Sequence, residues 1–269
     1  MISSVFAITK EPFNRTHLSL LPQQKHIVDI IKIHAAQGGF SVIIGEPGVG
    51  KSVLREHIES WCNERDTSVV SVSRTMHTYL NILKQLALSF KLDVPAKDLE
   101  TELIKAAFEH VRQRKTLYTL IDEAHLLNME TLRKLRLLFE KFPKKHNLVL
   151  LGQPDLLHYL SLNINADIKS RITFSQAIKP LNDDDLERYI IKELETAKIG
   201  INTFDSAAIE VILRSANGNL RLCRNLCYAS LIEDCREAQK MVTISHVNNV
   251  LIQPHWRSHE ELIKQQVAS

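Results

Sequence analysis

The chain has 269 residues, 44% of them apolar and 24% charged, with a net charge of +3. That is ordinary globular usage at a length suited to one large domain or two small ones, which excludes a disordered chain. The mild basic balance permits nucleic-acid contact without arguing for it. With no signal-peptide pattern and no apolar run near the ~18 residues of a membrane span, a soluble cytoplasmic protein is expected.

Glycine is scarce, 8 of 269, so the cluster Gly45, Gly48 and Gly50 is informative. Residues 10–15 read as loop, and Leu21–Ala36 carries apolar residues at helical spacing with Pro22 near its start. Phe40–Ile44 is a short β-branched run, hence a buried strand. The glycine-rich loop Gly45–Ser52 follows, then a helix over Val53–Trp61. Strands are expected at 68–72, 116–121, 147–151 and 172–174, with helices at 76–90, 99–112 and 128–139. This alternation implies right-handed crossovers and a mostly parallel sheet covered on both faces. After Pro180 only helices are expected, at 186–195, 206–215, 220–237 and 245–252, with Asn182-Asp-Asp-Asp185 as a helix start. Cys62, Cys223, Cys227 and Cys235 form no CxxC pair and read as reduced structural thiols. The reading is an α/β domain over 1–179, with an N-terminal segment 1–20, a helical lid over 180–254 and a polar tail over 255–269.

The chemistry concentrates in Gly45-Glu46-Pro47-Gly48-Val49-Gly50-Lys51-Ser52, a complete GxxxxGK[ST] between a strand and a helix. Such a loop wraps phosphate oxygens with backbone N–H groups, and Val53 opens the helix whose N-terminus faces them. In this pattern Lys51 pairs with the β- and γ-phosphates and Ser52 ligates Mg²⁺, so ATP and Mg²⁺ are the expected cofactors. The strand ending Ile121-Asp122-Glu123 supplies a second half: Asp122 for the Mg²⁺ shell, Glu123 as general base for water. Two acids at a strand end can also simply cap a helix; the phosphate loop upstream tips the balance. Gln153, after the next apolar strand, is a candidate to orient the water or sense the γ-phosphate, against a plain surface turn. Arg171 is a candidate to reach a neighbouring subunit's γ-phosphate, against an ordinary surface arginine.

These pieces, with Lys10-Glu-Pro-Phe13, Leu120-Ile-Asp-Glu-Ala-His-Leu126, Leu150-Leu-Gly-Gln-Pro-Asp-Leu156 and Ala216-Asn-Gly-Asn-Leu-Arg221, make the chain resemble an AAA+ ATPase. More narrowly it resembles the ExeA-like group, which joins general secretion pathway protein A ATPases to transposition ATPases of the TniB and TnsC kind. The resemblance implies a P-loop three-layer sandwich with a small all-helical lid. It implies sensor 1 at Gln153, an arginine finger acting in trans at Arg171, and sensor 2 at Arg221, with Arg224 as a competitor. A finger in trans implies a homo-oligomer, a ring or a filament.

Secretion-type members continue into a membrane span and a cell-wall-binding domain, which this sequence lacks. The expectation is therefore a transposition regulator that binds double-stranded DNA and recruits or stimulates a transposase or targeting protein. Two alternatives remain: a secretion-assembly ATPase with an envelope partner, and a nucleotide-gated scaffold with little turnover. In the transposition ATPases the loop after the second strand tracks DNA in the pore. Here Arg74, Thr75, His77 and Thr78 supply a cation and hydrogen-bond donors for phosphate, against a bland polar turn. Arg133, Lys134, Arg136, Lys141, Lys144 and Lys145 oppose only Glu140 over residues 133–145, a second candidate patch against a solvated helix face.

Overall fold

The computed structural model describes residues 2–256 except 7, 9, 14–19, 36, 64–67, 73–77 and 238. In chain order the elements are α1 (Ile2–Val5), α2 (Pro22–Ala35), β1 (Gly39–Gly45), α3 (Lys51–Asn63), β2 (Ser68–Val72), α4 (Tyr79–Ser89), α5 (Leu99–Arg112) and β3 (Leu117–Ile121). They continue with α6 (Met129–Glu140), β4 (His146–Gly152), α7 (Pro154–Ser161), α8 (Ala166–Lys169), β5 (Phe174–Ile178), α9 (Asp183–Ala197), α10 (Ser206–Ala216), α11 (Leu220–Glu237) and α12 (Ile244–Leu251). Two compact units result: Ser19–Lys179, and Met1–Leu18 together with Pro180–Ser269.

The first unit is built on a five-stranded parallel sheet of order β2-β3-β4-β1-β5. Strand residues alternate between faces, so residue parity sorts the core into two layers. Val42, Ile44, Leu117, Ile121, Leu148 and Leu150 pack with buried residues of α4, α5 and α6. Ile43, Tyr118, Leu120, Val149 and Leu151 pack with Ile27, Val28 and Ile31 of α2 and Leu54 and Ile58 of α3. This is the three-layer α/β sandwich. β5 runs over Phe174–Ile178 and shares only Phe174 with the expected 172–174; as an edge strand it alternates in exposure and so offers no continuous apolar run. Helices α7 and α8 were not anticipated.

The second unit is helical. Asn182 caps α9 by accepting a hydrogen bond from the Asp185 N–H at 2.7 Å. Cys223, Cys227 and Cys235 are free thiols buried in α11, and burial pushes the Cys227 thiol well up. The opening residues, expected with the α/β domain, group here instead. Phe13 is buried with its ring edge-on to Tyr189 and Phe204, at 6.3 and 6.2 Å, and its N–H donates to Glu193 Oε2 at 2.9 Å. Such a long-range aromatic slot leaves no local sequence signal. Among the described residues, no helix is long and apolar enough to cross a membrane.

One histidine ties the sheet's lower edge together. His146, at the start of β4, stacks on Phe139 at 4.7 Å and shares a 2.8 Å hydrogen bond with Thr119 Oγ1 of β3. Burial lowers its pKa from 6.5 to about 3. The folded state therefore holds it neutral, so its contribution to stability is present above pH 6.5 and is lost as pH falls towards 3. Chemical denaturation should show about 2 kcal/mol of this loss between about pH 7.5 and about pH 5. A His146→Gln chain should lack that component; an unchanged pH dependence in the variant would contradict the assignment.

Candidate functional site

Because the strands are parallel, every loop that follows a strand emerges at the same edge of the sheet. The 45–51 loop follows β1, Asp122-Glu123 follow β3, and Gln153 follows β4, which lies between them. The pairing Ile44↔Gly152 and Ile121↔Leu150 sets these strand ends nearly level.

The loop has the curvature of a phosphate cradle. Gly48 and Gly50 hold φ values of 92° and 101°, in the region that glycine tolerates and side-chain-bearing residues avoid. Val49 turns inward and is buried in the α2–α3 layer, while Glu46 and Pro47 are exposed. Lys51, the first residue of α3, is buried, and its ammonium donates to the Gly45 and Glu46 carbonyls at 2.6 and 3.0 Å. Ser52 and Val53 complete the first turn of α3.

Asp122 is 1% exposed. Its Oδ1 accepts the Glu123 N–H at 2.9 Å, while its Oδ2 is buried without a hydrogen-bond partner. A buried carboxylate oxygen without a partner is costly unless a cation meets it. Arg55, one turn after Lys51, lies 3.8 Å away through Nε, which also lacks a hydrogen bond. Asp122 Oδ2 and the Ser52 hydroxyl thus fit the donor chemistry of Mg²⁺, a hard cation that takes oxygen ligands. Glu123 adopts the left-handed region at φ 52° and ψ 37°, turning the chain sharply into the 3-10 turn Ala124–Leu126. Gln153 is the N-cap residue of α7 and makes no capping bond with its side chain.

Arg171 sits three residues before β5, at the edge where strands begin, opposite its own phosphate loop. It is 54% exposed and pairs with Glu140 at 2.7 Å. Arg221 is exposed in the first turn of α11, whose N-terminus is capped by Asn219 Oδ1 accepting the Arg221 and Leu222 N–H groups at 3.1 Å. Arg74, Thr75 and His77 lie outside the described residues; Thr78 is the exposed N-cap of α4.

Half of the second basic run is engaged within the fold. Arg133 donates to the Ile164 carbonyl and Asn165 Oδ1, Lys134 pairs with Glu130, and Arg136 pairs with Glu140 and Asp167. Lys141, Lys144 and Lys145 are exposed. Half of the run is therefore structural, since helix neighbours at i±4, the 3-10 turn Asn163–Asn165 and Asp167 of α8 supply its partners.

Two residues of the site escaped the sequence reading. One is Arg55, whose helical spacing from Lys51 was the available signal. The other is Gln24 of α2, fully buried, which accepts from the Leu21 N–H at 2.9 Å and donates to the Gly50 carbonyl at 3.2 Å. It staples α2 to the phosphate loop. Gln24→Ala should cost about 1–3 kcal/mol in unfolding free energy and weaken binding of a fluorescent ATP analogue. An unaltered affinity would separate α2 from the loop's function.

Residues 34–160 match the family model described as AAA domain. General secretion pathway protein A of Aeromonas hydrophila is 28% identical over 206 residues, covering 72% of this chain and 37% of that protein. The chain thus spans little more than a third of that relative. Among solved structures, the Aeropyrum pernix ORC2 protein in ADPNP–ADP complexes superposes with a TM-score of 0.72 at 15% identity, covering 93% of this chain and 73% of that one. Drosophila ORC bound to DNA gives 0.65 at 18% identity, over 96% and 66%. These likenesses show a shared fold, and the match to the AAA domain spans residues 34–160, a little under half of this chain.

Proposed function

We propose that this protein is a Mg²⁺-dependent ATPase that assembles copies of itself on duplex DNA and there regulates transposition, recruiting or stimulating a transposase or targeting protein. The observation that carries the hydrolytic part is Asp122, buried with one oxygen that accepts no hydrogen bond and followed at once by Glu123, on the same sheet edge as the Gly45–Ser52 loop. The chemistry that Mg²⁺ supplies when bound is neutralisation of charge on phosphate oxygens. Lys51 and the backbone N–H groups of 48–52 hold the β- and γ-phosphates, and Ser52 and Asp122 hold the cation. Glu123 takes a proton from the attacking water, and Gln153 orients that water or senses the γ-phosphate. Arg221 contacts phosphate as sensor 2.

Arg171 serves a neighbouring copy. Its place at the opposite edge from its own loop supports action in trans, and a guanidinium with five donors can keep Glu140 while presenting others. The DNA part rests on the residues after β2 and on the fold shared with Drosophila ORC, solved bound to DNA. A second reading is favoured by the Aeromonas relative: an ATPase acting on an envelope or secretion partner.

The first test is steady-state ATP hydrolysis with and without duplex DNA at two salt concentrations, with Lys51→Ala as blank. Hydrolysis should be absent in Lys51→Ala and fall at least ~10²-fold in Glu123→Gln. DNA should stimulate it, with the stimulation fading as salt rises. A chain that stays monomeric with an ATP analogue and duplex DNA would sink the DNA reading; co-fractionation with membranes would favour the second. Arg171→Ala should abolish hydrolysis while sparing nucleotide affinity, and wild-type activity from it would remove the trans role.

A further inference from the structure

We propose that His125 is a positioning residue: its Nδ1 atom sets the Glu123 carboxylate relative to the tip of β4, linking the general base to the strand that carries Gln153. The proposal rests on the reading of Glu123 as general base. Nδ1 of His125 lies 3.5 Å from Glu123 Oε2. The Gln153 backbone N–H points at the same nitrogen, 3.4 Å away. The side chain is 11% exposed, so the ring is enclosed where it stands.

The backbone leaves the ring little freedom to retreat. Glu123 and His125 share the tight turn that begins in the left-handed region. The tip of β4 presses on it: a Cβ at Gly152 would come within 3.2 Å of the His125 nitrogen of the main chain. Gly152 is thus what allows turn and strand end to approach.

A single imidazole nitrogen carries either a lone pair or a proton. With a lone pair, Nδ1 accepts the Gln153 N–H and repels the Glu123 carboxylate. With a proton, it donates to Glu123 and releases the Gln153 N–H. The two contacts exclude each other, and the ring's tautomer decides between them. A change at the β4 tip is therefore felt at the Glu123 carboxylate through one atom, without movement of the helices. Lys51 and the Gly45–Ser52 loop take no part in this exchange, so binding and turnover should separate.

The test compares wild type with His125→Ala, His125→Asn and His125→Gln in steady-state ATP hydrolysis. An asparagine amide reaches the Nδ1 position and offers donor and acceptor on separate atoms, whereas a glutamine amide reaches the far side of the ring. His125→Ala should lower kcat about ten-fold with KM for ATP within about two-fold, the mark of lost positioning rather than lost binding. His125→Asn should recover most of kcat and His125→Gln should not. Equal impairment in all three, or none in His125→Ala, overturns the proposal. A second arm does not depend on hydrolysis: the imidazole ¹⁵N shifts of His125 in protein without added nucleotide. Glu123→Gln should move the Nδ1 resonance as the tautomer balance changes, and an unmoved Nδ1 overturns the proposal. If wild type fails to hydrolyse ATP, the catalytic reading of Glu123 falls, and the ¹⁵N arm alone decides whether His125 couples the two segments.

Discussion

The whole site depends on the parallel register of β1, β4 and β3. Three segments separated by tens of residues carry the loop lysine, the acid pair and the polar strand tip, and none has a local reason to meet the others. In-phase pairing, with Ile44 opposite Gly152 and Leu150 opposite Ile121, brings their ends level at one edge. A slip by one residue would turn Val42, Ile44, Leu148 and Leu150 out of one core layer and into the other. The two apolar layers thus enforce the register, and the register enforces the site.

That dependence explains what could be read from the sequence. Central strands buried on both faces must be continuous apolar runs, so β1, β3 and β4 stood out within a residue or two. The edge strand β5 has one neighbour and an alternating pattern, and only its start was visible. Helix α7 has a start signal only in Pro154 at its first position, because Gln153 before it is not a capping residue type and makes no capping bond. The Gly45–Ser52 loop and the acid pair were legible because GxxxxGK[ST] and two acids at a strand end are particular residue types at fixed spacing.

What stayed illegible was contact between distant segments. Gln24 is an unremarked glutamine in an amphipathic helix until the fold sets it beneath Gly50. Phe13 gave no sign that it belongs with Tyr189 and Phe204. The basic run at 133–145 shows the reverse error. A charge count sees six cations, but Glu130, Glu140, Asp167 and the Ile164 carbonyl occupy three of them, so bulk charge overstated the surface available to phosphate. Sequence reports the residue types present, and only the fold reports how many of them are engaged by one another.

The electrostatics of the site follow from the same enforced proximity. Asp122 is taken almost wholly out of water at the end of a central strand, where an isolated carboxylate would be strongly destabilised. Two devices make it tolerable: the Glu123 N–H bonds one oxygen, and the Arg55 guanidinium stands 3.8 Å from the other without a hydrogen bond. Long-range attraction without a bond stabilises the charge while leaving the oxygen's lone pairs available. Arg55 is itself shared with Glu56 and Glu59 at 3.7 Å, so its charge is divided among three carboxylates rather than spent on Asp122 alone. The α3 helix therefore contributes at both ends of one turn: Lys51 faces the loop, and Arg55 balances the acid. A carboxylate held in this way, compensated but not consumed, has the arrangement a cation-binding acid requires.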